Sequence, residues 1–189
     1  LNRLRKKFAY KLNEFYEHEE IIELNLDKSI ELVIAILGVL TAGKIFTIKQ
    51  QNKFIYPSIS MDFFKDIESY GFLDNKPNER IAVYYTSGTE GPSKKVLLTE
   101  DALLNYIENV PFSCNITIKD TILSISNPTF DIFLEDIMLA FIKGTSIVLC
   151  DLEHTSQIDK ELTYISTTPS VIYHLLEYHT SIFNSVKHI

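Results

Sequence analysis

One polar loop of this sequence has the composition of an anion-binding site. It combines hydroxyl side chains with glycines and ends on adjacent lysines; the residues are Thr86, Ser87, Gly88, Thr89, Gly91, Lys94 and Lys95. Glycine lets successive backbone N–H groups point into one concavity, while hydroxyls add donors and lysine adds positive charge. The loop therefore suits a di- or triphosphate. From composition alone, a flexible hairpin loop between two strands is an equally good interpretation.

Two common nucleotide-binding motifs do not match this loop. In a Walker A loop counted from Gly88, the second glycine would fall on Ser93, and the residue after Lys94 would be Ser or Thr to bind Mg²⁺ rather than Lys95. The dinucleotide fingerprint G-x-G-x-x-G does not occur in the chain. Any phosphate binding must therefore follow another pattern.

The composition limits the kinds of partner. The chain has 189 residues, a net charge of −7 and a pI near 5.2, which argues against nucleic acid and anionic membranes as partners because both need a basic face. Two cysteines, Cys114 and Cys150, are too few for a disulfide scaffold. The apolar run from 32 to 43 is too short to span a bilayer, and the first residues do not resemble a signal peptide. We expect a cytoplasmic location and no membrane partner.

Helical and strand patterns alternate along the chain and predict an α/β fold with largely parallel, layered sheets flanked by helices. The predicted helices are 1–16, 30–40 with Ser29 as its cap, one after Thr99, 131–143 ended by Gly144, and one opened by 168–170. The predicted strands are 21–26, 45–48, 81–85, 96–98, 122–125 and 146–149. The stretch from 50 to 80 has the weakest pattern, and we expect one helix there, over 62–70.

Three sequence motifs, in order, resemble those of one superfamily. Residues 83–94, V-Y-Y-T-S-G-T-E-G-P-S-K, resemble the AMP-binding signature of acyl- and aminoacyl-adenylating enzymes, which include acyl-CoA synthetases, luciferases and nonribosomal peptide synthetase adenylation domains. Residues 34–43, I-A-I-L-G-V-L-T-A-G, resemble the helix A-x-L-G-x-L-K-A-G that precedes it. Residues 130–137 and 144–149, F-D-I-F-L-E-D-I and G-T-S-I-V-L, resemble the later pair F-D-x-S-x-W-E-I and G-A-T-L-V-L. The resemblance is nearest to amino-acid adenylation domains and implies part of the large N-terminal subdomain.

The resemblance implies a reaction and two cofactors, ATP and Mg²⁺. Such enzymes join a carboxylate to the α-phosphorus of ATP and release pyrophosphate, leaving an acyl-adenylate. The loop would hold the β- and γ-phosphates through Thr86, Ser87, Thr89 and the backbone at Gly88 and Gly91, and Lys94 would balance developing negative charge. The expected partners are a small carboxylic or amino acid and, for an amino-acid enzyme, a carrier-protein domain.

Asp131 bears on the class of acid. In amino-acid adenylation domains the aspartate of the F-D pair binds the α-ammonium of the substrate, whereas ligases of fatty or aryl acids usually lack it. Ile132 and Glu135 would then face the side-chain pocket, and Glu135, in place of a frequent tryptophan, favours a polar or cationic side chain. The alternatives are an aspartate that interacts only with its own helix, and a fatty- or aryl-acid ligase.

The histidines predict no metal site. His174 and His179 approach the zinc motif H-x-x-E-H, but Tyr178 is an extra residue. Five residues apart, the two side chains lie on different faces of a helix. We expect both to be ordinary surface histidines.

Several departures from the family pattern argue against catalytic activity of this chain alone. Ser93 stands where proline is usual and Lys95 where glycine is usual, while Glu90 adds negative charge. Only 40 residues separate Gly43 from Tyr84, so the segment from about 50 to 80 is expected to be shortened. The resemblance places the adenine-binding segments and the catalytic lysine after the last residue of this chain, so we expect 1–189 to be a partial AMP-binding domain. The alternative is a catalytically inactive remnant that acts as a binding or scaffold module.

Overall fold

The computed structural model describes residues 1–49, 55–86 and 94–189, without the side chains of 110–114. The chain forms two compact units, Leu1–Leu103 and Leu104–Ile189. No helix in the described ranges is both long and apolar enough to cross a membrane.

The first unit is built on one five-stranded sheet. Its strands are β1 (Ile21–Leu24), β2 (Ile45–Ile48), β3 (Ser58–Ile59), β4 (Arg80–Thr86) and β5 (Lys94–Thr99), in the order β3-β1-β2-β4-β5. The first four strands pair in parallel, and β5 pairs antiparallel with β4. Every residue of β2 is buried, as expected for a central strand of a parallel sheet. Strands β2 and β4, which lie on either side of the segment from 50 to 79 in the sequence, pair directly with each other.

Two helices of the first unit, α1 (Asn2–Phe15) and α2 (Ile30–Thr41), pack against each other. The Ser29 Oγ accepts a hydrogen bond from the Leu32 N–H at 3.3 Å, so the predicted cap of α2 is confirmed. A Cβ on Gly38 would lie 2.9 Å from the Phe8 Cγ, which makes glycine necessary for this helix contact. Gly43, at φ +69°, follows the end of α2 in the left-handed conformation.

The single helix predicted over 62–70 is wrong. The structure has two short 3₁₀ helices, Met61–Phe64 and Ile67–Ser69, separated by Asp66 at φ 57°. The Lys11 Nζ donates to the carbonyls of Phe63 and Lys65 at 2.9 and 2.7 Å. Those carbonyls would be the acceptors of a continuous α-helix, so tertiary hydrogen bonds from α1 replace the local ones.

The second unit contains a smaller, fully parallel sheet. Its strands are β6 (Thr121–Ser124), β7 (Ser146–Leu149) and β8 (Tyr164–Ile165), in the order β7-β6-β8. The helices are α4 (Asp131–Lys143) and α5 (Pro169–Tyr178), while α3 (Glu100–Cys114) contains the boundary between units. Buried apolar residues form its core: Leu123, Ile125, Cys150, Leu162, Ile165, Leu175 and Ile182. The prediction of largely parallel sheets flanked by helices is confirmed.

The helix ends of this region follow the sequence signals. The Ala102 N–H donates to the Thr99 Oγ1 at 3.3 Å, which caps α3. Gly144 ends α4 at φ +69°, and Pro169 occupies the first turn of α5. Strands β3 and β8 were not predicted, because two residues are too few to show a strand pattern.

Candidate functional site

The frame of the predicted phosphate loop is the hairpin of β4 and β5. Thr86 pairs with Lys94 across this hairpin, and both residues are exposed. The other predicted loop residues, Ser87, Gly88, Thr89 and Gly91, lie outside the described residues. The loop follows the carboxyl end of β4, which is parallel to β2, and ligands of open α/β sheets bind at that edge.

The chain leaves this loop as a strand and not as a helix. Lys94 is the first residue of β5, so no helix N-terminus directly follows the loop to add positive potential there, as it does in a Walker A loop. Attraction for an anion at this position therefore depends on the lysine charge and on hydrogen-bond donors.

The two adjacent lysines point to opposite faces of the hairpin, because side chains alternate along a strand. Lys95 is paired with Tyr85, and its Nζ donates to the Tyr56 hydroxyl at 3.3 Å and lies 5.6 Å from the Tyr56 ring centroid. Lys94 lies on the other face, with Thr86. The two lysines therefore have different surroundings: Lys95 contacts Tyr56, whereas Lys94 lies on the same face as Thr86.

Tyr56 and Tyr85 form a hydrogen-bonded pair beside Lys95. Their hydroxyl oxygens are 3.3 Å apart. Burial and then the contact with Tyr56 raise the pKa of Tyr85 to about 12. The hydrogen bonds with Tyr85 and Lys95 lower the pKa of Tyr56. Tyr56 accepts the hydrogen bond of Lys95, which holds Lys95 on the face opposite Lys94.

The predicted acid site lies in the second unit. Asp131 is the first residue of α4 and is exposed, while Ile132 and Glu135 are half-buried. The Ile132 N–H donates to the Asp131 Oδ1 at 3.0 Å, so the interaction of this aspartate with its own helix is present. That bond uses one oxygen of the carboxylate. It agrees with the alternative interpretation of Asp131 and leaves the ammonium-binding role as a prediction.

Glu135 lies one helical turn after Asp131, on the same side of α4. Burial raises the pKa of the Glu135 carboxyl, and the nearby negative charge of Asp131 raises it further. A hydrogen bond with Tyr106 has the opposite, smaller effect. The two carboxyls together create a site where a cation would be stabilised and where an unneutralised second charge is costly.

Three residues at this site were missed by the sequence analysis. They are Tyr106 of α3, Tyr164 of β8 and Ser166 directly after β8, which with Glu135 act on one another's ionisation. Burial raises the pKa of Tyr106, as do Tyr164 and Glu135. A helical pattern identifies α3 but not which of its polar side chains meets another element. The two-residue strand that positions Tyr164 gives no signal at all.

The site lies at the carboxyl end of the second sheet. β6 is the central strand, with β7 and β8 on either side of it, and such a switch in strand order opens a crevice outside the carboxyl ends. Ser126 and Thr167, which follow β6 and β8, have hydroxyl oxygens 3.2 Å apart. The segments after these two strands therefore lie side by side and bring residues far apart in sequence to one edge.

The rings of His174 and His179 have centroids 6.0 Å apart. In the described parts of the chain, no group of three or more His, Cys, Asp and Glu side chains is placed to hold a metal ion.

The sequence model of one family, described as AMP-binding enzyme, matches residues 59–189. Among related proteins, zwittermicin A synthase ZmaJ of Bacillus cereus is 26% identical in an alignment of 166 positions that covers 69% of this chain and 31% of ZmaJ. The chain thus spans less than a third of that relative.

Solved structures share the fold at low sequence identity. The o-succinylbenzoate CoA synthetase of Bacillus subtilis, in complex with the acyl-adenylate OSB-AMP, aligns with a TM-score of 0.83 and 17% identity, covering 98% of this chain and 59% of that one. A four-domain nonribosomal peptide synthetase bound to AMP and glycine aligns with a TM-score of 0.75 and 16% identity, covering 98% and 17%. At these sequence identities, the two structures show that this chain shares their fold.

Proposed function

The chain belongs to the family of AMP-binding enzymes, and from that premise we propose that it supplies the phosphate loop and part of the acid pocket for ATP-dependent activation of a carboxylic acid. The product would be an acyl-adenylate, with release of pyrophosphate. Residues 1–189 would be a partial adenylation domain. Because the chain spans only 31% of ZmaJ, the complete reaction is proposed for the full gene product.

The observation that carries this proposal is the placement of Thr86 and Lys94. They face each other at the carboxyl end of β4, at the two ends of a segment rich in glycine and hydroxyl groups. A hydroxyl donor and an ammonium group match the oxygens of a β,γ-diphosphate. The described residues fit ATP in this respect, and Mg²⁺ would be held mainly by the phosphate oxygens, as is common for nucleotide enzymes.

In the proposed reaction the residues of this chain bind the phosphates of ATP and orient them. Thr86 and Lys94, with Ser87, Thr89 and the backbone of Gly88 and Gly91, would hold the leaving pyrophosphate. Mg²⁺ would neutralise charge on the phosphates. Lys94 would stabilise charge that develops on the leaving group, an effect that grows toward the transition state and therefore lowers the barrier.

The acid that we propose is an amino acid, and the acceptor of the activated group is a carrier-protein domain. Asp131, at the mouth of the crevice, would bind the α-ammonium group. Glu135, half-buried one turn later, would face a polar or cationic substituent on the side chain, beside Ile132. A substrate with a second positive charge would offset the cost of placing two carboxylates on one helix face.

The first test is calorimetric titration of this chain with MgATP, together with amino-acid-dependent exchange of pyrophosphate into ATP by the full gene product. Binding that is lost in Lys94→Ala supports the proposal. Failure of MgATP to bind, with no exchange for any amino acid or simple carboxylate, contradicts it and favours an inactive binding or scaffold module.

A fatty- or aryl-acid ligase is the second candidate function, and the fold shared with o-succinylbenzoate CoA synthetase favours it. Asp131→Ala separates the two. Loss of amino-acid activation supports the amino-acid enzyme. Activation of a non-amino acid that is unchanged by the substitution supports the ligase.

A further inference from the structure

Tyr56 contacts both strands of the hairpin that carries the proposed phosphate loop. It lies in the segment that leads into β3, whereas Tyr85 is on β4 and Lys95 is on β5, and all three belong to the first unit. In the strand order β3-β1-β2-β4-β5, β3 and β5 are the outermost strands. Tyr56 therefore joins a segment that enters one edge of the sheet to the hairpin at the other edge.

The contacts of Tyr56 use both its ring and its hydroxyl. The Lys95 Nζ donates to the Tyr56 hydroxyl oxygen at 3.3 Å and lies 5.6 Å from the ring centroid, within the range of a cation–π contact. The hydroxyl oxygens of Tyr56 and Tyr85 are 3.3 Å apart. A phenolic oxygen can accept a hydrogen bond from an ammonium group and still share a proton with a second hydroxyl. One side chain thus holds a residue from each strand of the hairpin.

These contacts act on the strand pair next to the proposed phosphate site. Tyr85 pairs with Lys95, and the following pair is Thr86 with Lys94, whose residues are both exposed. Exposed ends of a hairpin open at a low free-energy cost. Because side chains alternate along a strand, a Lys95 side chain that is held on one face directs the Lys94 side chain to the other. The contacts of Tyr56 therefore oppose opening of the hairpin and fix the direction of Lys94.

The contact depends on a residue in which this chain departs from the family pattern. Lys95 stands where glycine is usual. Glycine has no side chain for Tyr56 to hold, and it leaves a strand with more conformational freedom. The departure at Lys95 therefore supplies a contact that the usual residue could not make.

We propose that Tyr56 is a positioning residue for the proposed phosphate site: through Lys95 and Tyr85 it holds the hairpin so that Thr86 and Lys94 face the phosphates of a nucleotide. This inference rests on the proposed function for its ligand. The contact of Tyr56 with Lys95 exists without a ligand, so the contact and its effect on binding are measured separately.

The contact is tested by NMR on the 189-residue chain. Nuclear Overhauser effects are expected between the ring protons of Tyr56 and the Cε protons of Lys95. Tyr56→Phe keeps the ring and removes only the hydroxyl, so it should shift the Cζ resonance of Tyr85, whose hydroxyl loses its partner. Absence of the Overhauser effects, or an unchanged Tyr85 resonance in a folded Tyr56→Phe chain, overturns the proposal.

The positioning role is tested by titrating the same chain with MgATP and following the amide resonances of Thr86 and Lys94. Tyr56→Phe should raise Kd about fivefold, the effect of one lost hydrogen bond. Tyr16→Phe is the matched control: its ring packs against Phe63, with centroids 6.1 Å apart, and Kd should not change. An unchanged Kd in a folded Tyr56→Phe chain overturns the proposal, even if its melting temperature falls.

A second variant distinguishes positioning through Lys95 from a general structural role of Tyr56. Lys95→Met keeps the aliphatic part of the side chain and removes the ammonium group. If Tyr56 acts through Lys95, adding Tyr56→Phe to Lys95→Met should leave Kd for MgATP unchanged, because the contact is already lost. A further rise of about fivefold in the double variant overturns the proposal.

If Tyr56→Phe does not fold, Lys95→Met takes its place. The MgATP titration is then made at about 0.5 M salt, which screens long-range attraction between charges. Lys95→Met should still raise Kd about fivefold, since the lost contact is short-range. No rise in Kd under these conditions overturns the proposal.

The proposed function and the positioning role fail in different ways. If MgATP shifts no amide resonance of the unsubstituted chain, the proposed function is contradicted and the positioning role falls with it. If MgATP binds and Kd does not respond to Tyr56→Phe, the positioning role alone is contradicted.

Discussion

The hairpin of the proposed phosphate loop and the proposed acid pocket differ in the way the fold supports them. Thr86 and Lys94 are exposed residues of one hairpin, adjacent through strand pairing alone. Glu135 and Tyr106 are half-buried side chains on different helices, and burial raises the pKa of both. Two sites that would act on one reaction are thus built by local backbone geometry in one unit and by tertiary side-chain contacts in the other.

The difference has an electrostatic reason. A polyphosphate carries enough charge to be bound by an exposed lysine and N–H donors, which keep their solvation until the ligand arrives. An ammonium group is bound more selectively by a carboxylate that is partly withdrawn from water, but burial then destabilises that carboxylate and requires supporting hydrogen bonds. We therefore expect substitutions at the hairpin to affect binding with little effect on stability, and substitutions at the pocket to affect both.

The largest effect is expected at the hairpin. Lys94→Ala should lower kcat/KM for pyrophosphate exchange about 100-fold, because a preorganised charge on the leaving group is lost. Lys95→Ala is the matched control and should lower it far less, since Lys95 contacts Tyr56 on the opposite face. Equal losses of kcat/KM in the two variants would show that activity does not depend on which face of the hairpin carries the lysine.

The next largest effect is expected at Asp131, the first residue of α4. Asp131→Ala should lower kcat/KM for amino-acid activation about 30-fold, through loss of a charge-assisted hydrogen bond to the α-ammonium group. Asp101→Ala removes an acid from the first turn of α3 and controls for the general effect of a helix N-terminus. If both variants lose the same activity, Asp131 acts only on its own helix.

The next prediction concerns the folding stability of the second unit. Asp120 is buried and accepts hydrogen bonds from the Thr117 N–H at 2.8 Å, the Thr117 hydroxyl at 2.9 Å and the Lys187 Nζ at 3.2 Å. Burial alone would raise its pKa, but these bonds and one from Thr163 lower it to about 2. Asp120→Asn should lower the free energy of unfolding by about 1.5 kcal/mol in urea titrations at pH 7.

The pH dependence of the same contact has a defined sign. The folded pKa of Asp120 is below its unfolded value, so its contribution is complete above the unfolded pKa and is lost as pH falls through the folded one. The unsubstituted chain should therefore lose more stability than Asp120→Asn between pH 5 and about 2. Asp74→Asn is the control in the first unit: its ion pair with Lys6 is exposed, and it should change little.

The smallest effect concerns the folding stability that is lost when Glu135 is ionised. The pKa of Glu135 is raised in the folded state, so its ionisation destabilises the fold at high pH, and this penalty disappears as pH falls below the unfolded pKa. Glu135→Gln should raise the melting temperature by about 2 °C at pH 8 and have no such effect near pH 4. Glu153→Gln, which is exposed, should show neither change. A lower melting temperature for Glu135→Gln at pH 8 would mean that the ionised side chain stabilises the pocket.

Local signals predicted the regular elements, and tertiary contacts decided the exceptions. Ser29, Thr99, Gly144 and Pro169 mark helix ends, because capping depends on neighbouring residues alone. The predicted helix over 62–70 was wrong, because Lys11 binds its carbonyls from α1.

The sequence by itself determined the family and was enough to propose a phosphate loop, because the glycines, hydroxyls and lysine of that proposal lie in one contiguous segment. It assigned the phosphate role to Lys94, but only the pairing of β4 with β5 places Lys94 and Lys95 on opposite faces. It identified Asp131 and Glu135 but not Tyr106, Tyr164 or Ser166. Those residues lie on separate elements of the second unit, and which elements come together is set by the whole fold.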